Sequence, residues 1–579
     1  MGKLIKDIVH GYIDFDQEII DIINSAEFQR LRHIRQTSYN SLYPSSLHDR
    51  FSHSLGVYAL GKYAFDNFKR NVQEDFPEDG EVNVEAMWIK ERRIFLLACL
   101  LHDVGHSPFS HTGENFYLLN YGKPENLNSD MEAYCIHAYY IYNELINCVN
   151  DKQFAEDFNS VPKTKVAKPH EIMSAIIGLK RFCEDFNQDE RALFARMIIG
   201  LQYKDSSKIV TGIHNCLIRL LNSGIIDVDK LDYLARDRVM TGFESVKIDT
   251  DRLLASVCLV NIGLEDSPNY RLAFFKSALS VIENVVLAHD SERKWIQSAA
   301  IVKYDSFLVQ RCIKAVELFF NSTGDKQKKL LCEQTISREG QTFNDNLTIR
   351  LISDADIIFL AKQLPVDSID RCYIDEYFSR DQRKKAIWKT ESEFDITLRE
   401  LPESGRQKFV QWIEDLKKLL INEGDSSDEE AFVINDQVEK DLKESMEKKQ
   451  ADPELPDDLK KETEEHYKKV VKRFKVLRKF AKEKDIPFDF VVTFCGRFKS
   501  NVKKLSIDEE KEQDESDEIL IKYKNFDRPK KLNEAISTYD SSTQKPLSTL
   551  NRNYYVYYKK VNGVNIFPLE FINYILKNI

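Results

Sequence analysis

With 579 residues, 42% of them hydrophobic and 31% charged, the chain is long enough for two or more domains and too apolar for global disorder. A net charge of -11 excludes a generally basic, nucleic-acid-coating surface while leaving room for a local basic groove. No apolar run approaches a membrane span, Met1-Gly-Lys-Leu4 opens no signal-peptide region, and the ten Cys form no Cys-x-x-Cys pair. A reduced, cytoplasmic protein with no membrane partner is therefore expected.

From the N-terminus, Ile19, Ile20, Ile22 and Ile23 leading into Phe28, Leu31 and Ile34 predict one amphipathic helix, with Gln29, Arg32 and Gln36 on its other side. Ile94-Phe-Leu-Leu-Ala-Cys-Leu-Leu101 lacks Gly and Pro and reads as a buried helix that Gly105 and Pro108 then end. Val281 to Phe320 predicts long helices, and Leu330 to Thr390 continues helical, Asp354 to Ile358 opening one of its helices. Asn422 to Asp458 is polar and loop-like, with Gly-Asp-Ser-Ser-Asp-Glu-Glu near its start. A helix starts near Pro456, with acids in its first turns and Lys and Arg toward Lys484, matching the helix dipole.

Phe488 to Phe494, Ile519 to Tyr523 and Asn553 to Lys559 read as strands. The expected fold is mainly α: a helical core over 1–325, a helical lobe over 326–421, a charged insert and long helix over 422–484, and a small α+β element over 485–579. Acidic residues concentrate in Glu423 to Glu465 and Asp508 to Glu518, so a phosphate-bearing substrate would meet Arg32, Arg35, Arg50, Lys230 and Arg236 locally. The chain shows no internal repeat, phosphate-binding Gly-rich loop or sustained heptad.

His102 and Asp103 stand side by side at the end of the buried apolar run, where either side chain left unpaired is costly. A divalent cation satisfies both, and His53 and Asp229 are the candidates to complete a two-His, two-Asp cage with positions left for water and substrate. His106 and His111 follow within the same segment, and nine of the 12 His lie at or before His170. Asp229, Tyr233 and Asp237 recur at i, i+4 and i+8, one stripe of a helix, while Asp232 and Arg236 read as an i, i+4 ion pair on a surface helix.

Four segments, Arg50-Phe-Ser-His53-Ser-Leu-Gly56, His102-Asp-Val-Gly-His106-Ser-Pro-Phe-Ser-His111, His170-Glu171 and Asp227-Val-Asp-Lys-Leu-Asp-Tyr-Leu-Ala-Arg-Asp237, resemble the HD-domain phosphohydrolases. Within these they most resemble the deoxynucleoside triphosphate triphosphohydrolases, which take in SAM and HD domain-containing enzymes and bacterial dGTPases. The match begins at Asp7-Ile-Val-His-Gly11, runs to about Asp237 and weakens through about Thr390.

The resemblance implies a helical HD core that converts a dNTP, with dGTP the first to try, to deoxynucleoside and tripolyphosphate. It implies a divalent metal on His53, His102, Asp103 and Asp229, with His106, His111 and His170 around the triphosphate and His106 and His170 as the acid–base pair. Arg50 and Lys230 would contact phosphates, Tyr233 and Asp237 the deoxyribose, and Gln36 the nucleoside. Two imidazoles suit Mn2+, Fe2+, Co2+, Ni2+ or Zn2+, while Mg2+ would sit on the triphosphate.

A homo-oligomer, a regulatory nucleotide or protein partner, and a part in antiviral dNTP depletion also follow from the family's roles. Rival readings are another HD phosphohydrolase (nucleotidase, phosphodiesterase or nuclease) and an effector-controlled nucleotide-binding module; the intact ligand set weighs against the second. Three positions depart from the family: Asn24 where an Asp reads an activating guanine, Lys6 where an Asn holds the activator, and Glu114 where an Asp is usual. Guanine activation by that scheme is not expected.

Overall fold

All eight residues of Ile94–Leu101 are buried, in a helix spanning Glu85–Leu101 whose last turn delivers His102 as its C-terminal cap. This helix packs on the long helix Arg50–Asp75, which in turn packs on Val228–Thr241. The three together bring His53, His102–Asp103 and Asp229 to one place. The structure, a computed structural model, describes residues 2–117, 130–161, 167–264, 266–321, 328–343, 347–366, 370–421, 431–453, 455–496, 518–526, 528–535 and 552–579.

The fold is mainly α, with two large hydrophobic cores and two small clusters among the described residues. The larger runs from Ile13 to Ile374 and takes in Ile519, Ile521 and Leu532; the smaller is built from residues between Ala300 and Ile575. The helix Ala300–Asn321 serves both, giving Tyr304, Phe307 and Leu308 to the smaller core and Val309, Cys312, Ile313 and Val316 to the larger.

The sheets are small. An N-terminal antiparallel hairpin joins β1 (Lys3–Asp7) to β2 (Gly11–Phe15). A second sheet pairs β3 (Val257–Asn261) with β4 (Tyr270–Phe275), and a third small hairpin links β5 (Gln341–Phe343) to β6 (Leu347–Ile349). The smaller core is roofed by an antiparallel sheet of order β7-β12-β9-β8, formed by Lys385–Ala386 (β7), Ala431–Asn435 (β8), Asp489–Gly496 (β9) and Arg552–Tyr558 (β12). The strand β10 (Leu520–Lys522) does not join that sheet. It pairs parallel to β4 and continues into β11 (Lys530–Lys531), in the order β11-β10-β4-β3.

Three expectations need correction. The helix predicted over Ile19–Ile34 is two, Gln17–Ile23 and Ala26–Arg30, because Ser25 accepts from Phe28 N at 3.3 Å and starts the chain again. The helical readings of 1–325 and 330–390 missed the hairpins, whose strands of three to six residues are too short for a period-2 pattern to compete. The polar stretch Asn422–Asp458 holds β8 and a helix, Asp436–Ala451; residues 422–430, with the Gly-Asp-Ser-Ser run, lie outside the described residues.

Candidate metal centre

His53 lies in the first turn of its helix, capped by Asp49, whose carboxylate accepts from Ser52 N at 2.8 Å. Asp229 lies in the first turn of the Val228–Thr241 helix, capped in the same way by Asp227. Helix starts make rigid mounts, and here two face the end of a third helix. His53 Nε2 stands 3.3 Å from His102 Nε2, 3.0 Å from Asp229 Oδ1 and 3.6 Å from Asp103 Oδ2. His102 Nε2 is 3.8 Å from Asp229 Oδ1 and 3.5 Å from Asp103 Oδ1.

These spacings suit a cation. Metal–ligand bonds of about 2.0–2.2 Å put adjacent donors roughly 3–3.5 Å apart. The tautomers agree: His53 Nδ1 is 2.7 Å from Asp232 Oδ2, and His102 Nδ1 is 2.9 Å from the Cys99 carbonyl. Both partners only accept, so each ring places its N–H there and turns a lone pair inward. Two lone pairs and the Asp229 carboxylate converge as a group that could hold a cation, with the Asp103 oxygens beside both rings. Burial disfavours a charged His53, yet the carboxylates of Asp229, Asp232 and Asp103 outweigh it and raise its pKa to about 9. Burial likewise opposes ionisation of Asp103, but Arg50, His102 and His53 hold it well below the usual carboxylate range.

Asp232 and Arg236 form an ion pair, but not on a surface helix: Asp232 is fully buried and Arg236 is 1% exposed. Arg236 grips Asp232 through Nε at 2.9 Å and a second nitrogen at 3.0 Å, and reaches Asp7 at 2.9 Å. Asp232 Oδ1 also meets His10 Nε2 at 2.6 Å. The carboxylate assigned to solvent is therefore the one that orients His53. A Cβ on Gly56 would stand 1.9 Å from Asp232 Oδ1, which is why the His53 helix carries glycine there. Asp232→Asn is expected to weaken metal affinity about 10–100-fold, measured by competition with a chromophoric chelator. An unchanged metal Kd would show that His53 needs no such support.

A second cluster adjoins the first. Ring nitrogens of His106, His111 and His170 lie within 4.8 Å of one another, and the His106 and His170 rings stack with centroids 4.0 Å apart. Glu114 bonds Nδ1 of His111 at 3.1 Å and also Nδ1 of His170, directing the Nε2 atoms away from itself. His106 is fully buried, with no hydrogen bond on either ring nitrogen among the described residues; burial, with Arg50 and His170 nearby, pushes its pKa well below the ordinary value. The three imidazoles thus form a second group of close nitrogen donors beside the first.

The loop between the clusters is tightly held. Phe109 and Ser110 adopt φ values of +59° and +54°, a left-handed pair that ordinary side chains avoid, and Asp354 accepts from Phe109 N at 2.7 Å and Arg35 N at 3.0 Å.

A cavity of about 650 Å³ runs past both clusters, lined among others by Gln36, Arg50, Asp103, His111, His170, Asp229, Lys230, Tyr233 and Asp237. His53, His102 and His106 do not line it. Arg50 directs its donors to Asp103 (2.7 Å), Ser110 (2.9 Å) and Gln36 O (3.3 Å), so it orients a ligand carboxylate as well as facing the cavity. Lys230 bonds Ser223 O and Asp227, each at 2.7 Å. Gln36 Oε1 is buried without a hydrogen-bond partner among the described residues. Sequence reasoning missed Asp232, Tyr39, His48, Lys168 and Glu292, which reach the site from separate segments and share no spacing.

Comparison with known proteins adds to this geometry. The HD domain family matches residues 50–151. An uncharacterized protein of Mycoplasma genitalium is 26% identical over 287 residues, 49% of this chain and 53% of its own length. The deoxynucleoside triphosphate triphosphohydrolase SAMHD1 homolog of Dictyostelium discoideum is 28% identical over 255 residues, 44% of this chain and 39% of its own. The human deoxynucleoside triphosphate triphosphohydrolase SAMHD1 is 29% identical over 265 residues, 45% of this chain and 37% of its own. The match thus spans about half the length, or less, of these curated relatives. A crystal structure of a hypothetical protein from Aquifex aeolicus shares the fold, with a TM-score of 0.50 and 17% identity over 96% of this chain and 97% of that one. This chain carries an HD domain, the mark of a metal-dependent phosphohydrolase, and His/Asp clusters that could hold a metal.

Proposed function

We propose that the chain is a dNTP triphosphohydrolase that cleaves the bond between the α-phosphorus and the deoxyribose 5′-oxygen, with water as the nucleophile, releasing deoxynucleoside and intact tripolyphosphate. The observation that carries this reading is the stripe Asp229, Tyr233 and Asp237 along one cavity wall. A helix rises about 1.5 Å per residue, so the three stand roughly 6 Å apart in turn. That order, a ligand carboxylate, then an aromatic ring, then a hydrogen-bonding acid, matches a phosphate followed by a sugar and suits a nucleotide better than a bare phosphoester. The 28–29% identity to dNTP triphosphohydrolases over 255–265 residues supports it.

A divalent cation on His53, His102, Asp103 and Asp229 would supply Lewis-acid charge to the phosphoryl oxygens and to activation of the water. The mixed nitrogen and oxygen donors suit Mn2+, Fe2+, Co2+, Ni2+ or Zn2+, with Mg2+ reserved for the triphosphate. His170, held by Glu114 at Nδ1, turns Nε2 away from that carboxylate, where it can hold a proton for the leaving 5′-oxygen, with His106 and His111 beside it. Lys168 and Lys230 line the cavity and offset the charge of the departing triphosphate.

Tyr233, packed against the 2′ face of the sugar, leaves a ribose hydroxyl without a partner, which costs about 1–3 kcal/mol. dATP should accordingly be cleaved about ten- to a hundredfold faster than ATP, with tripolyphosphate as the inorganic product on anion-exchange chromatography. Equal rates for the two, or stepwise release of phosphate, would favour another HD phosphohydrolase activity.

A further inference from the structure

Glu292 ends the helix Leu279–Glu292, and the next five residues, Arg293–Gln297, form a π-helical turn. In such a turn residue i+5 falls over residue i, and turns of this kind concentrate at functional sites. Here it seats Gln297 over Glu292: Gln297 Nε2 donates to Glu292 Oε1 at 3.0 Å, and the Tyr39 hydroxyl donates to the same oxygen at 3.3 Å. Both donors hold the carboxyl in the cavity wall, 4% exposed, in hydrogen-bond contact with Asp237, which is 2% exposed. Asp237 is fixed from behind by His48 Nε2 at 2.6 Å. Two buried carboxyls thus line one cavity within hydrogen-bond reach of each other.

We propose that Glu292 is a specificity-determining residue: with Asp237 it forms a carboxyl pair that shares one proton and binds the 3′-hydroxyl of the deoxyribose as donor and acceptor at once. A lone carboxylate only accepts, whereas a hydroxyl both gives and takes a hydrogen bond, so a singly protonated pair satisfies it fully. Two carboxyls in contact cannot both ionise in a buried site, and their protonation belongs to the pair. Burial raises the Asp237 pKa to about 7, and burial together with Asp237 lifts Glu292 well above the ordinary range. The pair lies on the far side of Tyr233 from Asp229 along the helix, where the sugar stands in the reaction proposed above, and the inference rests on that reading.

The test compares kcat/KM for dATP and 2′,3′-dideoxyATP, which differ only in the 3′-hydroxyl, in the wild type, Glu292→Ala and Glu292→Gln. Wild type should favour dATP by about ten- to a hundredfold, the cost of an unpartnered buried polar group. In Glu292→Ala the ratio should collapse to within about threefold, because dATP loses far more than the dideoxy compound. Glu292→Gln keeps a donor but removes the mobile proton, so its ratio should fall between the two and keep the inference testable where the Ala variant does not fold.

A merely structural role would depress both substrates alike; unchanged ratios in both variants overturn the inference while leaving the proposed reaction standing. A wild type that does not discriminate between the two compounds overturns it as well. A wild type that cleaves no dNTP overturns the reaction and the inference together.

Discussion

Asp103→Ala and His53→Ala are each expected to leave the protein without bound metal and without turnover. His53 Nε2 stands 3.0 Å from Asp229 and 3.6 Å from Asp103, so each loss removes a donor beside the same two imidazoles. The two variants should differ in stability. Asp103 also accepts from Arg50 at 2.7 Å, so its removal strands a buried guanidinium, a change that typically costs about 3–5 kcal/mol. His53→Ala leaves Asp232 still bound to Arg236 and His10, and should unfold at a higher temperature than Asp103→Ala. Elemental analysis decides the matter: full metal occupancy in both purified variants would sink the four-residue cage.

His170→Ala should do the opposite, keeping its metal and losing turnover by about 10²–10⁴-fold, the usual contribution of a positioned acid or base. Its ring is bonded to Glu114 and stacked on His106, and its nitrogens belong to the second cluster rather than the first. The predicted combination of retained metal and lost rate separates it from the ligands. Unchanged turnover in a folded, metal-loaded His170→Ala protein would remove His170 from the chemistry.

The parts of this site that can be read from the chain are those where cost and period act locally. An apolar run of eight residues ending in His102-Asp103 declares a buried helix and a polar pair in need of charge. The i, i+4, i+8 spacing of Asp229, Tyr233 and Asp237 declares a shared face. Asp232 sits on the same helix, yet its role could not be read, because its partner His53 lies 179 residues away and an i, i+4 pair looks the same buried or exposed. Glu292 was hidden for a related reason: nothing in Ser-Glu-Arg-Lys-Trp announces a π turn. The fold follows the same division, with long helices legible and the short hairpins β1-β2, β3-β4 and β5-β6 not.

One consequence concerns synthesis. The β4 edge is covered by β10, a strand made some 250 residues later, and the register Leu520↔Ala273 cannot form until residue 520 has left the ribosome. Chains generally fold from the N-terminus as they emerge, and an uncovered strand edge invites pairing with a neighbour. The strand pair β3-β4 is therefore translated with one edge open, and stays so until Leu520–Lys522 has emerged.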